Sequence, residues 1–212
     1  MRLTLLLSAL MIVSFAAVLI FVNNIDAFYS HYGFSGANLL ARPYVLLTSI
    51  FLHAGIEHLL ANLLVLAFFC MAVEKELGSL KTLGIFFAGA VAGDLLSLAV
   101  YPFDAVSVGA SAGIFALVGV GMLVRPLDLS FYPMIMPIPL LFLGIAYALY
   151  NVYGFFFLPE SGISYIAHFG GLFVGLAAGF AKTGMKKGMR TLLIGLFALA
   201  VVAALWLVFA SG

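Results

Sequence analysis

A serine framed by small residues, Gly109-Ala110-Ser111-Ala112-Gly113, begins one apolar segment of the chain, and a histidine, His168, opens another. A hydroxyl attacks a carbonyl only when a neighbouring base takes its proton, and imidazole suits that role near neutral pH. Both residues stand where hydrocarbon is expected. A polar side chain placed there is costly unless it finds a partner. Such a residue is a functional candidate for that reason.

His58 and Asn62 form a second pair. At i and i+4 they share one helix face. An imidazole and a carboxamide presented together can donate hydrogen bonds to a developing oxyanion. Ser111 adds a helix N-terminus, whose free backbone N–H groups and dipole also favour negative charge. The four residues together have the makings of an acyl-transfer site, with Ser111 as nucleophile and His168 as base.

The elements that must position them are seven apolar spans: Leu3–Val22, Glu57–Val73, Leu80–Val100, Ser111–Val124, Pro133–Phe156, Ser164–Ala181 and Thr191–Ala210. Arg2 followed by an apolar stretch resembles a secretory signal, but Leu3–Val22 is longer than the roughly 7–15 residues of a signal core and is expected to be a retained span. Residues 23–55 form a long connector carrying Tyr29, Tyr32, Phe34 and Tyr44, rings suited to a membrane interface. Basic residues set the orientation. With the N-terminus cytoplasmic, Arg2, Lys75, Lys81, Arg125, Lys182, Lys186, Lys187 and Arg190 fall inside and only Arg42 falls outside. The C-terminus is then expected outside.

Counting from the cytoplasmic charges gives depths. Ser111 to Arg125 and His168 to Lys182 are each 14 steps, about 21 Å of helix. His58 and Asn62 lie 16 and 12 steps from Glu74, about 24 and 18 Å. In a hydrocarbon core about 30 Å thick, all four sit at one level, roughly 10 Å below the outer surface. The spans carrying Ser111 and His168 are also suited to close contact. Gly171, Gly175 and Gly179 are four apart on one, with Gly109 and Gly113 at that spacing on the other.

Of the 212 residues, 66% are hydrophobic and 8% charged, against about 25% charged in soluble domains. The class is an all-α polytopic membrane protein, and a net charge of +1 gives no case for nucleic acid. The single Cys70 excludes an internal disulfide and a cysteine-rich metal cluster. A zinc protease would need His-Glu-x-x-His, and Ile56-Glu57-His58 has the wrong order. An aspartyl mechanism needs two carboxylates sharing a proton, and only Asp94 sits clearly inside a span. Asp94 is either a protonated or hydrogen-bonded group packed between helices, or a supporting partner of the site or an acid on the substrate's route to it. His53 is expected to order the outer connector, and His31 to be an interfacial loop residue. No metal and no soluble cofactor is expected.

Phe51-Leu52-His53, His58-Leu59-Leu60-Ala61-Asn62, Gly109-Ala110-Ser111-Ala112 and Ala167-His168 with its trailing glycines, in this order on the second, fourth and sixth spans, resemble the rhomboid intramembrane serine proteases. The resemblance covers residues 1–182 and implies a six-helix core, with 183–212 as a basic cytoplasmic turn and an extra seventh transmembrane helix. It implies a Ser–His dyad without a carboxylate, cutting single-span transmembrane substrates within the lipid bilayer near their outer ends. Ser111 would attack, and His168 would act as general base and then acid. Asn62, His58 and the Ser111 amide would form the oxyanion hole. The connector Leu158-Pro159-Glu160-Ser161-Gly162 would be a cap, and the fifth span, loosened by Pro137 and Pro139, would lie where substrate comes in.

Three positions depart from the family pattern: Ala112 follows the serine, Arg42-Pro43-Tyr44 replaces a Trp-Arg pair, and Phe115 stands where a tyrosine often stacks on the dyad histidine. Two rival readings are a non-catalytic rhomboid-like protein that binds transmembrane clients and a transporter or channel. The first usually lacks the serine or histidine, and the second would need polar residues through both leaflets. A chain this compact points to the cell membrane of a prokaryote.

Overall fold

The computed structural model describes residues 2–129, 138–158 and 163–210, which hold ten α-helices. Six are long and apolar enough to cross a membrane: α1 (Arg2–Phe21), α5 (Ile56–Leu77), α6 (Ser79–Ser97), α8 (Leu140–Phe157), α9 (Tyr165–Thr183) and α10 (Met185–Ala210). The connector after α1 folds into three short helices, α2 (Ile25–Tyr32), α3 (Gly36–Ala41) and α4 (Val45–Phe51). Asn24 and Ser35 start the first two by capping them through their side-chain oxygens.

The remaining helix, α7 (Ser111–Val124), has only 14 residues, and every residue from Ala112 to Leu123 is buried. A helix that is apolar all round belongs at the centre of a bundle. It packs among α5, α6, α8 and α9.

Glycines set how closely these helices approach. A Cβ added at Gly171 or Gly175 of α9 would run into the carbonyl oxygens of Ala112 and Ala116 on α7. One added at Gly119 of α7 would lie 2.8 Å from the Leu172 carbonyl oxygen. The glycine stripe of α9 therefore meets Ala112, Ala116 and Gly119, not the expected Gly109 and Gly113. Gly113 faces Phe86 of α6, whose carbonyl oxygen would be 2.7 Å from an added Cβ. Gly109 precedes the helix altogether.

Several boundaries differ from expectation. The second span continues past Val73 to Leu77, because Glu74 is buried and bonded. Its carboxylate accepts from the Leu3 amide at 3.0 Å and from the Ser79 hydroxyl at 2.9 Å. It thus satisfies free N–H groups at the start of α1, where a negative charge also suits the helix dipole. Pro139 stands just before α8 and does not loosen its interior; Pro137 and residues 159–162 lie outside the described residues. The basic residues Lys186, Lys187 and Arg190 belong to α10 itself, and the turn before it is made at Gly184, where φ is +84°.

At one end of the bundle an ion cluster joins three helices. Glu76 lies 3.3 Å from Arg125 and 3.8 Å from Lys182, and Arg125 lies 3.6 Å from Asp128.

Candidate active site

The approach to Ser111 is shaped by backbone. Gly109 has φ +128°, a conformation that L side chains rarely adopt, and its N–H donates to the Ser49 carbonyl at 2.9 Å. A Cβ there would lie 2.7–2.8 Å from the His58 ring, so the turn also needs glycine for space. Two residues later α7 begins, leaving the Ser111, Ala112 and Gly113 amides without acceptors in their own helix.

His168 comes from the first turn of α9 and is buried. Its Nε2 lies 2.7 Å from Ser111 Oγ. Phe115, one turn along α7 from Ser111, stacks on the imidazole with centroids 4.3 Å apart and planes 13° apart. Tyr147 of α8 stacks on the other face of Phe115 at 4.7 Å, and Tyr165 meets the imidazole edge-on at 6.2 Å. The stack needs only a ring at position 115, so the missing hydroxyl costs it nothing.

On α5, Asn62 is buried, and its Nδ2 makes no hydrogen bond among the described residues. Both Asn62 Nδ2 and His58 Nε2 border the Gly109 turn, at 3.8 and 2.8 Å from where a Cβ would sit. An amide donor and an imidazole nitrogen thus converge beside the residues leading into Ser111. A buried amide donor without a partner is rare and needs an explanation.

His53 is buried beneath His58, with ring centroids 5.1 Å apart. Its carbonyl accepts the Tyr29 hydroxyl at 2.6 Å, which ties the connector down. Burial, and then the neighbouring His58, push the His53 imidazole down to about 4, against the Phe51 carbonyl that its Nδ1 faces at 3.3 Å. Arg42 donates to Asn38 Oδ1 and to the His31 ring. Asn38 in turn donates to the carbonyls of Ser30 at 2.8 Å and Gly33 at 2.9 Å. His31 is thus part of the connector's polar knot, which Phe34 joins to Ser107 by paired backbone bonds of 2.9 and 2.8 Å. Asp94 keeps a buried Oδ2 with no hydrogen bond among the described residues.

One site residue escaped the sequence. Asn151 of α8 is buried, with Oδ1 2.7 Å from His168 Nδ1 and Nδ2 donating to the Tyr165 carbonyl at 3.2 Å. An asparagine inside an apolar span was the signal available, under the same rule that singled out His168.

An all-helical, multi-pass integral membrane protein with a serine and a histidine in contact inside the bundle is the class that this fold and site define. Residues 40–185 match the Rhomboid domain, and the chain belongs to the rhomboid family. It is 30% identical over 151 residues to Rhomboid-like protease 1 of Toxoplasma gondii, covering 70% of this chain and 51% of that protein. It is also 30% identical over 136 residues to Rhomboid-related protein 2 of Mus musculus, covering 60% and 44%. With RHOMBOID-like protein 7 of Arabidopsis thaliana the identity is 39% over 74 residues, or 35% of this chain and 23% of that one. The chain thus spans about half the length of these relatives or less.

Proposed function

We propose that this chain is an intramembrane serine endopeptidase that cuts single-span transmembrane proteins near their outer ends, with Ser111 and His168 as its dyad. The observation that carries the reading is the 2.7 Å contact between Ser111 Oγ and His168 Nε2, made across two apolar helices. A hydroxyl and an imidazole so placed form an activated nucleophile.

In the first step His168 Nε2 takes the Ser111 proton as Oγ bonds to the scissile carbonyl carbon. The oxyanion that forms is met by Asn62 Nδ2, His58 and the Ser111 amide. When the C–N bond breaks, Nε2 gives its proton to the leaving amine, and an acyl ester remains on Ser111. Water then attacks the ester, again losing its proton to Nε2. The proton returns to Ser111 Oγ as the new carboxyl product leaves. That Asn62 Nδ2 is buried beside the Gly109 turn leading into Ser111, with no hydrogen bond among the described residues, supports its place in the oxyanion hole.

Orientation follows from charge. Arg125 and Lys182 gather with Glu76 at the end of the bundle far from Ser111. Basic residues favour the cytoplasmic side, so the N-terminus is cytoplasmic and water reaches Ser111 from outside. We assign the core to residues 1–182 and treat 183–212 as an appended span.

The test is co-reconstitution of the purified protein with a single-span substrate carrying small residues near its outer end. Wild type is expected to release two fragments and Ser111→Ala none. Equal intact bands from both would overturn the reading and favour a rhomboid-like protein that holds transmembrane clients without cutting them.

A further inference from the structure

We propose that Asn151 is a positioning residue for His168, selecting the imidazole tautomer that can act as base; this rests on the Ser111–His168 reading above. The Phe115 stack fixes only the plane of the imidazole. A ring turned over in that plane would present carbon where Nδ1 now stands. Stacking barely distinguishes the two, and a hydrogen bond does.

The network admits one assignment. The Tyr165 carbonyl accepts only, so the atom of Asn151 that faces it at 3.2 Å is the Nδ2 donor. Oδ1 must then face the ring, 2.7 Å from Nδ1. Oδ1 accepts only, so Nδ1 carries the hydrogen. In the neutral imidazole this leaves Nε2 with its lone pair, 2.7 Å from the Ser111 hydroxyl. Reversing the amide would set oxygen against oxygen and an N–H₂ group against Nδ1.

The carbonyl that orients Asn151 belongs to Tyr165, the first residue of α9, three before His168. Asn151 therefore ties α8 to the turn that carries the base. A neutral amide adds no negative charge to stabilise the imidazolium. It holds the tautomer and the orientation, the role of the third group in serine and cysteine hydrolases that use an orienting partner.

The experiment combines kinetics with ¹⁵N spectra of histidine-labelled full-length protein in detergent, the His168 signals being identified by their loss in His168→Gln. Wild type at pH 8 is expected to show His168 protonated at Nδ1 and bare at Nε2. Asn151→Ala is expected to show mixed tautomers and kcat lowered roughly 10- to 100-fold with KM within about twofold, short of the ~10⁴ lost when a triad takes the wrong tautomer. Asn151→Asp keeps an acceptor for Nδ1–H but loses the donor to the Tyr165 carbonyl, and is expected to restore the Nδ1–H tautomer with only part of kcat. Wild-type His168 protonated at Nε2 instead, or Asn151→Ala with kcat unchanged, would overturn the proposal. If wild type cuts no substrate yet shows the Nδ1–H signal, the protease reading falls and the tautomer assignment stands.

Discussion

Arg125 Nε lies 3.3 Å from Glu76 Oε2, joining α7 to α5 at the end of the bundle away from the candidate site. Fourteen residues before these two stand Ser111 and Asn62, and fourteen before Lys182, the third member of the cluster, stands His168. Three helices pinned at one level carry the site residues the same distance up, about 21 Å. With Glu76 as origin in place of Glu74, the count for Asn62 matches the other two.

Despite that registry, the ion cluster is expected to contribute little stability. The side chains of Glu76, Arg125 and Lys182 are one-third to one-half exposed, and pairs of that kind are worth on the order of 1 kcal/mol or less. Glu76→Gln should lower the thermal midpoint in detergent by only a few degrees and leave cleavage within about twofold. Loss of folded protein on this substitution would show that the tie sets the register, and that close packing does not.

Close packing is where the contact between Ser111 and His168 is held. Gly171→Ala drives a methyl group into the backbone of Ala112, which has no flexible end to yield, and should cost about 1–3 kcal/mol or more. The shift separates α7 from α9, so kcat should fall further than stability. Gly84→Ala is the control: nothing lies within 4 Å of its added Cβ, and it should be neutral or stabilising. Equal behaviour of the two variants in a thermal melt would contradict this account.

Acidification should loosen the connector between α1 and α5. The His53 imidazole is pushed down to about 4 in the folded protein, against an ordinary value near 6.5 when exposed. The unfolded form therefore binds the proton first, and the stability that neutral His53 contributes is full above about pH 6.5 and is lost as pH falls toward 4. Thermal midpoints of wild type and His53→Gln, measured from pH 8 to 4.5, should converge as pH drops. A constant gap would remove His53 as the cause.

Removing α10 should spare catalysis. Its main intimate contacts are Gly188 against Phe180 and Gly195 against Leu141 and Ile145, and most of the helix faces outward. A chain ending at Gly184 is expected to keep cleavage within severalfold while melting earlier. Complete loss of activity in a truncated protein that still folds would place α10 in the core.

The sequence by itself determined the apolar spans, the equal residue count from Ser111 and His168 to the basic ends of their helices, and the shared face of His58 and Asn62. Helix rise and periodicity are properties of the backbone and can be counted along one chain. It also announced close packing through Gly171 and Gly175, but not which surface they would meet. Tertiary structure decided that Ala112, Ala116 and Gly119 receive α9, because Gly109 is spent on a left-handed turn beside His58. It alone brought Asn151 to His168 across 17 residues. Which polar side chain ends opposite which depends on how the helices are rotated about their axes, and no spacing within one helix contains that angle.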